Sequence, residues 1–228
     1  QAIAEDELMW LIKQKNKDQS AIRAIHLTKT CNLGVFIATD FQLNMVEKRC
    51  VGNQPCILGI DMTYNCGDFY VTPTTIQHPF LIHSTTLVEP VILGPTFIHT
   101  EHNQSVYELF ASDIINVNKN LKHLKFLGSD RQLEVYNGFK VFMPDLQLMI
   151  CKKHVQDNIE RFLKSKSLSG AFILDVMDDI FLELCTDMDD EHFEEMLEEV
   201  KDKWDKINTS IHPWFVRYQI NSFKECMT

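Results

Sequence analysis

Two aspartates close apolar runs in this chain. Asp61 follows Cys56-Ile57-Leu58-Gly59-Ile60, and Asp130 follows Leu124-Lys125-Phe126-Leu127-Gly128-Ser129. Runs of this kind read as core strands, where an unpaired carboxylate is costly to bury. An acid at the end of each of two such strands suits a hard divalent cation, magnesium or manganese. These ions prefer oxygen ligands, and two of them can clamp the attacking and leaving oxygens of a phosphodiester. The competing reading is that each aspartate caps a loop or the next helix, and Asp130, just before Arg131, has N-cap chemistry.

Cys151 and His154 form a C-x2-H pair where a strand passes into a helix, and both side chains fall on the first helical turn. A zinc site needs about four ligands and nothing nearby completes the set, so a packing or supporting role is the expectation. His99 and His102 flank Glu101 at the end of a strand and read as a satisfied or solvated loop. His78, His83 and His123 have no partner spacing. G-x-S-x-G, G-x-G-x-x-G and P-loop patterns are absent, which sets aside those enzyme classes.

The elements that must position these residues follow from periodicity. A charged helix is expected over 5–19, strands over 21–27 and 31–40, and a helix from Phe41 toward Cys50 capped by Asp40. Strands at 56–64, 68–76 and 91–99 come without intervening helices, which predicts an antiparallel meander with a turn at Asn65-Cys66-Gly67. Val106, Leu109, Phe110, Ile114 and Ile115 then fall at helical spacing. A strand ending at Asp130, a helix from Arg131 to Phe139, a strand over 146–151 and a helix over 151–164 follow, and from Gly170 onward the pattern is helical. The order predicts an α/β fold, a mixed sheet flanked by helices with a C-terminal helical extension.

Composition limits what such a chain can be. Its 228 residues have room for one large domain or two small ones, and 45% hydrophobic with 24% charged residues is ordinary globular usage. No apolar run reaches the roughly 18 residues of a membrane span, and the opening QAIAEDELMW has no secretory pattern. That opening also lacks an initiator Met, so an internal piece of a longer protein is expected. The seven cysteines include no C-x2-C pair, which favours a reducing compartment, cytosol or nucleus. The net charge of −10 is uneven: residues 175–205 hold fourteen acids against two lysines, and the rest of the chain sums to +2. The stripe Phe193, Met196, Leu197, Val200 and Trp204 makes this acidic stretch a helix with a packed face and a solvated one. A body near +2 has no broad phosphate-binding footprint, so contact with DNA must come from local patches.

The blocks themselves have a familiar order. ILGIDMTYNCGDFYVT resembles the first catalytic block of Mutator-like element (MULE) transposases, "hydrophobic-x-D-x-T-F/Y-N", and VILGPTFIHTEHNQSVYELF resembles the strand and helix that follow it. FLGSD is similar to the second acidic block. FMPDLQLMICKKHVQDNIERFL is similar to the C-x2-H block, with Phe142, Pro144, Leu148, Cys151, His154 and Asn158 at the matching places. FEEMLEEVKDKW and HPWFVRYQINSFKECM resemble the helical segment beyond, so the likeness runs from about residue 22 to the end.

The resemblance implies an RNase H-like fold and a DDE-type transposase that cuts and joins DNA with Mg2+ or Mn2+. Asp61 and Asp130 are then the first and second acids, both catalytic and metal-ligating, and Cys151 and His154 are the family's C-x2-H motif. It also implies DNA as partner, homo-oligomeric assembly, no membrane, and a nuclear location after synthesis in the cytoplasm. The implied organisation is a lead-in over 1–54, the RNase H-like core over 55–168 and an acidic helical insertion over 169–228. Two departures stand out. The family follows its second Asp with Gly and Glu, whereas Arg131-Gln132 stand here, and no E-S-x-N segment carrying the third acid occurs up to Thr228. The family's N-terminal zinc module is absent too. Part of a catalytic constellation is therefore expected, from a fragment of an active enzyme or from a domesticated, non-catalytic module that associates with DNA or protein.

Overall fold

The computed structural model describes residues 5–77, 81–130, 132–150, 152–184 and 190–220. It forms two compact units, residues 1–149 and 150–228. The first unit opens with α1 (Glu5–Lys15), β1 (Ile22–His26), β2 (Gly34–Ile37) and α2 (Asp40–Cys50). The α2 cap falls one residue before the expected Asp40. Thr39 has extended backbone and Gln42 stands three residues on, so the two close a capping box. Asp40 instead receives Arg23 Nη2 at 2.7 Å.

Strands β3 (Leu58–Ile60), β4 (Thr63–Cys66), β5 (Phe69–Gln77) and β6 (Val91–His99) follow, then α3 (Gln104–Val117), a 3-10 turn, β7 (Phe126–Ser129), α4 (Leu133–Lys140) and β8 (Gln147–Ile150). They build one mixed sheet in the order β1-β2-β6-β5-β3-β7-β8, with β4 beside β5. The β3, β5 and β6 strands form the expected antiparallel meander, and β3 runs parallel to β7. The run 56–64 is not one strand: it breaks at Asp61-Met62, and both pieces pair with β5. Gly67, at φ +70°, makes the turn from β4 to β5. The lead-in strands β1 and β2 extend the same sheet beyond β6.

The core of this unit joins Phe36, Leu58, Ile60, Phe97 and Leu127 from the strands to Val106, Phe110 and Phe139 from α3 and α4. Phe110 stacks on Phe97 with ring centroids 5.2 Å apart. Gly59 and Gly128 face one another across β3 and β7. A Cβ at Gly59 would stand 2.5 Å from Thr75 Oγ1, so any other residue there requires the Thr75 side chain on β5 to shift.

The second unit is helical, as the periodicity beyond residue 150 requires: α5 (Lys152–Ser165), α6 (Gly170–Asp178), a π-helical turn (Asp179–Glu183), α7 (Asp190–Ile207) and α8 (Ile211–Tyr218). Its core includes Ile159, Leu163, Val176, Leu197, Trp204 and Phe215. The stripe Phe193, Leu197, Val200 and Trp204 is buried, and its acidic neighbours Glu194, Glu195, Glu198 and Glu199 are exposed. Asp179 is buried within this unit and accepts from Trp204 Nε1 at 2.9 Å and from Lys203 Nζ.

Candidate functional site

The site begins with register. Across the parallel β3–β7 ladder, Leu58 pairs with Leu127 and Gly59 with Gly128. Continued for two further residues, that register would set Asp61 opposite Asp130, each one residue beyond its strand. Neighbouring strands lie about 4.8 Å apart. Leu58, Ile60 and Leu127 belong to the core and Ser129 is buried, so alternation, if carried past the strand ends, would send Asp61 and Asp130 to the opposite face together.

Their environments differ from the sequence expectation in one respect. Asp61 is exposed, because β3 stops at Ile60 and leaves the carboxylate in water. Its backbone N–H donates to the Pro73 carbonyl at 3.4 Å, which ties this corner to β5. Asp130 is half-buried, and its Oδ2 accepts from Gln132 Nε2 at 3.3 Å. Asp130 is not the cap of α4: the N-cap is Gln132, which makes no side-chain cap bond and turns its amide back on Asp130. The helix-capping alternative for Asp130 therefore falls.

Two carboxylates at adjacent strand ends, one exposed, suit a magnesium-type ion, which keeps several waters and takes one or two protein carboxylates. Asp61 and Asp130 are the residues that would hold it. Among the described residues no group of three or more His, Cys, Asp and Glu is arranged to hold a metal, so the pair has no third such ligand there. The buried Ser129 hydroxyl beside Asp130 has no hydrogen-bond partner.

Cys151 lies outside the described residues. His154 stands in the first turn of α5, half-buried, and its Nδ1 has no hydrogen-bond partner. His99 proves to be a satisfied core histidine rather than a loop residue. It is fully buried, and its ring meets Thr72 Oγ1 at 2.8 Å and the Glu101 carbonyl at 2.6 Å. A carbonyl only accepts, so Nδ1 carries the proton and Nε2 accepts from Thr72. Burial pushes the His99 pKa down to about 4. His26 Nε2 meets the buried Asp113 carboxylate at 2.6 Å and joins β1 to α3. Nothing in the sequence pattern singled out that pair, and Gln132 stood out as a departure from the family pattern rather than as a partner of Asp130. The nearest signal was an acid on the apolar face of a helix for Asp113.

Neither a protein-family model nor a curated protein matches this chain.

Proposed function

We propose that this chain is the catalytic core, or part of it, of a DDE-type transposase resembling the Mutator-like elements. Its activity would be metal-dependent cleavage and transfer of DNA strands. What supports the reading is the parallel β3–β7 register, which, continued past the strand ends, would bring Asp61 and Asp130 side by side on one face. The strand arrangement supports it as well. A three-strand antiparallel meander (β3, β5, β6), with a later strand parallel to the first, is what an RNase H-like core uses, and that finer fold is part of this proposal.

A bound divalent ion supplies Lewis-acid activation of water or a 3′-hydroxyl toward phosphorus. The chain's own contribution is to present two carboxylates from rigid strand ends, Asp61 in solvent and Asp130 steadied by Gln132. DNA would be the substrate, in the nucleus after synthesis in the cytoplasm, and assembly into a homo-oligomer belongs to the same reading. Among the described residues no helix is long and apolar enough to cross a membrane.

Manganese titration of the protein, followed calorimetrically, tests the site. Saturable binding in the wild type, weakened at least about tenfold in Asp61→Asn and in Asp130→Asn, is expected. Indistinguishable isotherms would remove the site. Nicking of DNA carrying the element's ends, lost in Asp130→Asn, then tests the chemistry.

A second reading, a non-catalytic module derived from such an enzyme, is favoured by one observation. A neutral amide, Gln132, contacts Asp130 where the family carries an acid. Metal binding without DNA cleavage by the full-length protein would select this reading.

A further inference from the structure

A row of rings with a cation at each end runs along the helical unit. Phe162 on α5 and Trp214 on α8 lie nearly parallel, with ring centroids 3.8 Å apart and planes 3° from one another. Trp214 meets Tyr218, one helical turn on, at 6.3 Å. Lys166 Nζ lies 5.2 Å from the Phe162 ring centre, and the Arg217 guanidinium carbon lies 5.2 Å from that of Tyr218. Phe162 and Trp214 are half-buried against the core of the unit, whereas Tyr218 is 50% exposed.

The charge around this row opposes that of the rest of the unit. Residues 158–171 and 207–220 hold four Lys and Arg against one acid, Glu160, which Lys164 takes at 2.7 Å. Residues 175–205 hold fourteen acids against two lysines. Rings that merely closed the core would need no cations laid over them, and a merely solvated basic patch would need no rings. Together they match a flexible polyanion with planar groups, whose phosphates take the cations and whose bases stack on the rings. A duplex hides its base faces, and an acidic peptide offers no planar group for Tyr218. A cation over a solvated ring is held more weakly than a stacked base. Lys166 and Arg217 can therefore swing onto phosphates and release a ring face to a base.

We propose that this row binds single-stranded DNA, with a base stacked on Tyr218 and with Lys166 and Arg217 on the flanking phosphates. The choice of DNA over RNA rests on the transposase reading, but the contacts themselves use neither Asp61 nor Asp130.

The test is titration of the full chain with a labelled oligothymidylate in EDTA, followed by fluorescence anisotropy, so that no divalent ion takes part. Saturable binding is expected, weakened about tenfold in Tyr218→Ala and kept in Tyr218→Phe. Lys166→Gln and Arg217→Gln should each lower the slope of log affinity against log salt by about 0.7. Asp130→Asn should leave the isotherm unchanged, so failure of this surface and failure of the metal site are read separately. No binding up to about 0.1 mM strand at low salt would overturn the proposal. So would a wild-type isotherm in Tyr218→Ala, or an abasic strand that binds as tightly as oligothymidylate. Tighter binding of oligouridylate would overturn the assignment to DNA. Self-association lost in Tyr218→Ala, without strand binding, would give the surface to a second copy instead. Were Tyr218→Ala unfolded by circular dichroism, the abasic strand and the two salt slopes would decide.

Discussion

His99 in the sheet unit and Asp179 in the helical unit are buried titratable groups held in opposite ways. In the sheet, His99 is held neutral between the Thr72 hydroxyl and the Glu101 carbonyl. In the helices, Asp179 lies in the π-helical turn and is tied to Lys203 and to the Trp204 indole, and the Asp179 carboxylate in turn raises the Lys203 pKa. Asp61 and Asp130 follow neither pattern: one is in water, and the other accepts, among the described residues, from the Gln132 amide. The helical unit carries the acidic stretch, yet its buried acid is committed to structure. In the sheet unit, Asp61 and Asp130 follow the ends of β3 and β7, which deliver them without full burial.

Acid is the strongest way to separate the two units. His99 resists protonation when folded, with a pKa near 4 against an ordinary 6.5. The unfolded chain takes up the proton first, so stability is complete above about pH 6.5 and drains as pH falls toward about 4. The loss from this group is about 3 kcal/mol. Hydrogen exchange across that window should show β5 and β6 opening, and replacement of His99 by Gln should flatten the pH dependence. An unchanged profile would show that His99 is not the group being titrated.

The next largest effect is expected in the helical unit. Asp179→Ala removes the acceptor of the buried Trp204 N–H, at a cost of about 2 kcal/mol. Lys203 is half-exposed and regains water, so its share is small. Denaturant unfolding followed by Trp fluorescence would measure this, and a change below 0.5 kcal/mol, roughly the scatter of surface substitutions, would count against the assigned contact.

Gly59→Ala should be intermediate, about 1–2 kcal/mol, because the new methyl meets Thr75 Oγ1. Thr75→Ser keeps that oxygen, whereas Thr75→Ala removes it and should recover part of the loss in the double variant. The smallest change in stability belongs to Asp61→Asn, within about 0.5 kcal/mol, even as it weakens manganese binding. If Asp61→Asn unfolded the protein, the carboxylate would be structural and its contrast with Asp179 would vanish.

Much of the architecture was legible from periodicity: the meander, the change to helix at Gln104, and the helical character beyond residue 170. The faults were local and had physical causes. The α2 cap moved to Thr39 because a capping box needs Gln42 three residues on, and Asp40 found Arg23 from a different strand. The apolar run through Asp61 broke in two because β5 pairs with both pieces around a corner. His26 with Asp113 and Arg49 with Cys56 escaped notice because no local spacing encodes contacts made between elements.

By itself, the order of residues determined which segments become strands and which become helices, since hydrophobic period is a local property of the chain. It also put an acid just past each of two strands. Whether those acids stand together depends on how β3 and β7 align, and that alignment is set by backbone pairing and by the core packed against both strands. A slip of one residue would turn one carboxylate to the other face. Only the tertiary structure decides the register, because only there do segments distant in sequence share hydrogen bonds.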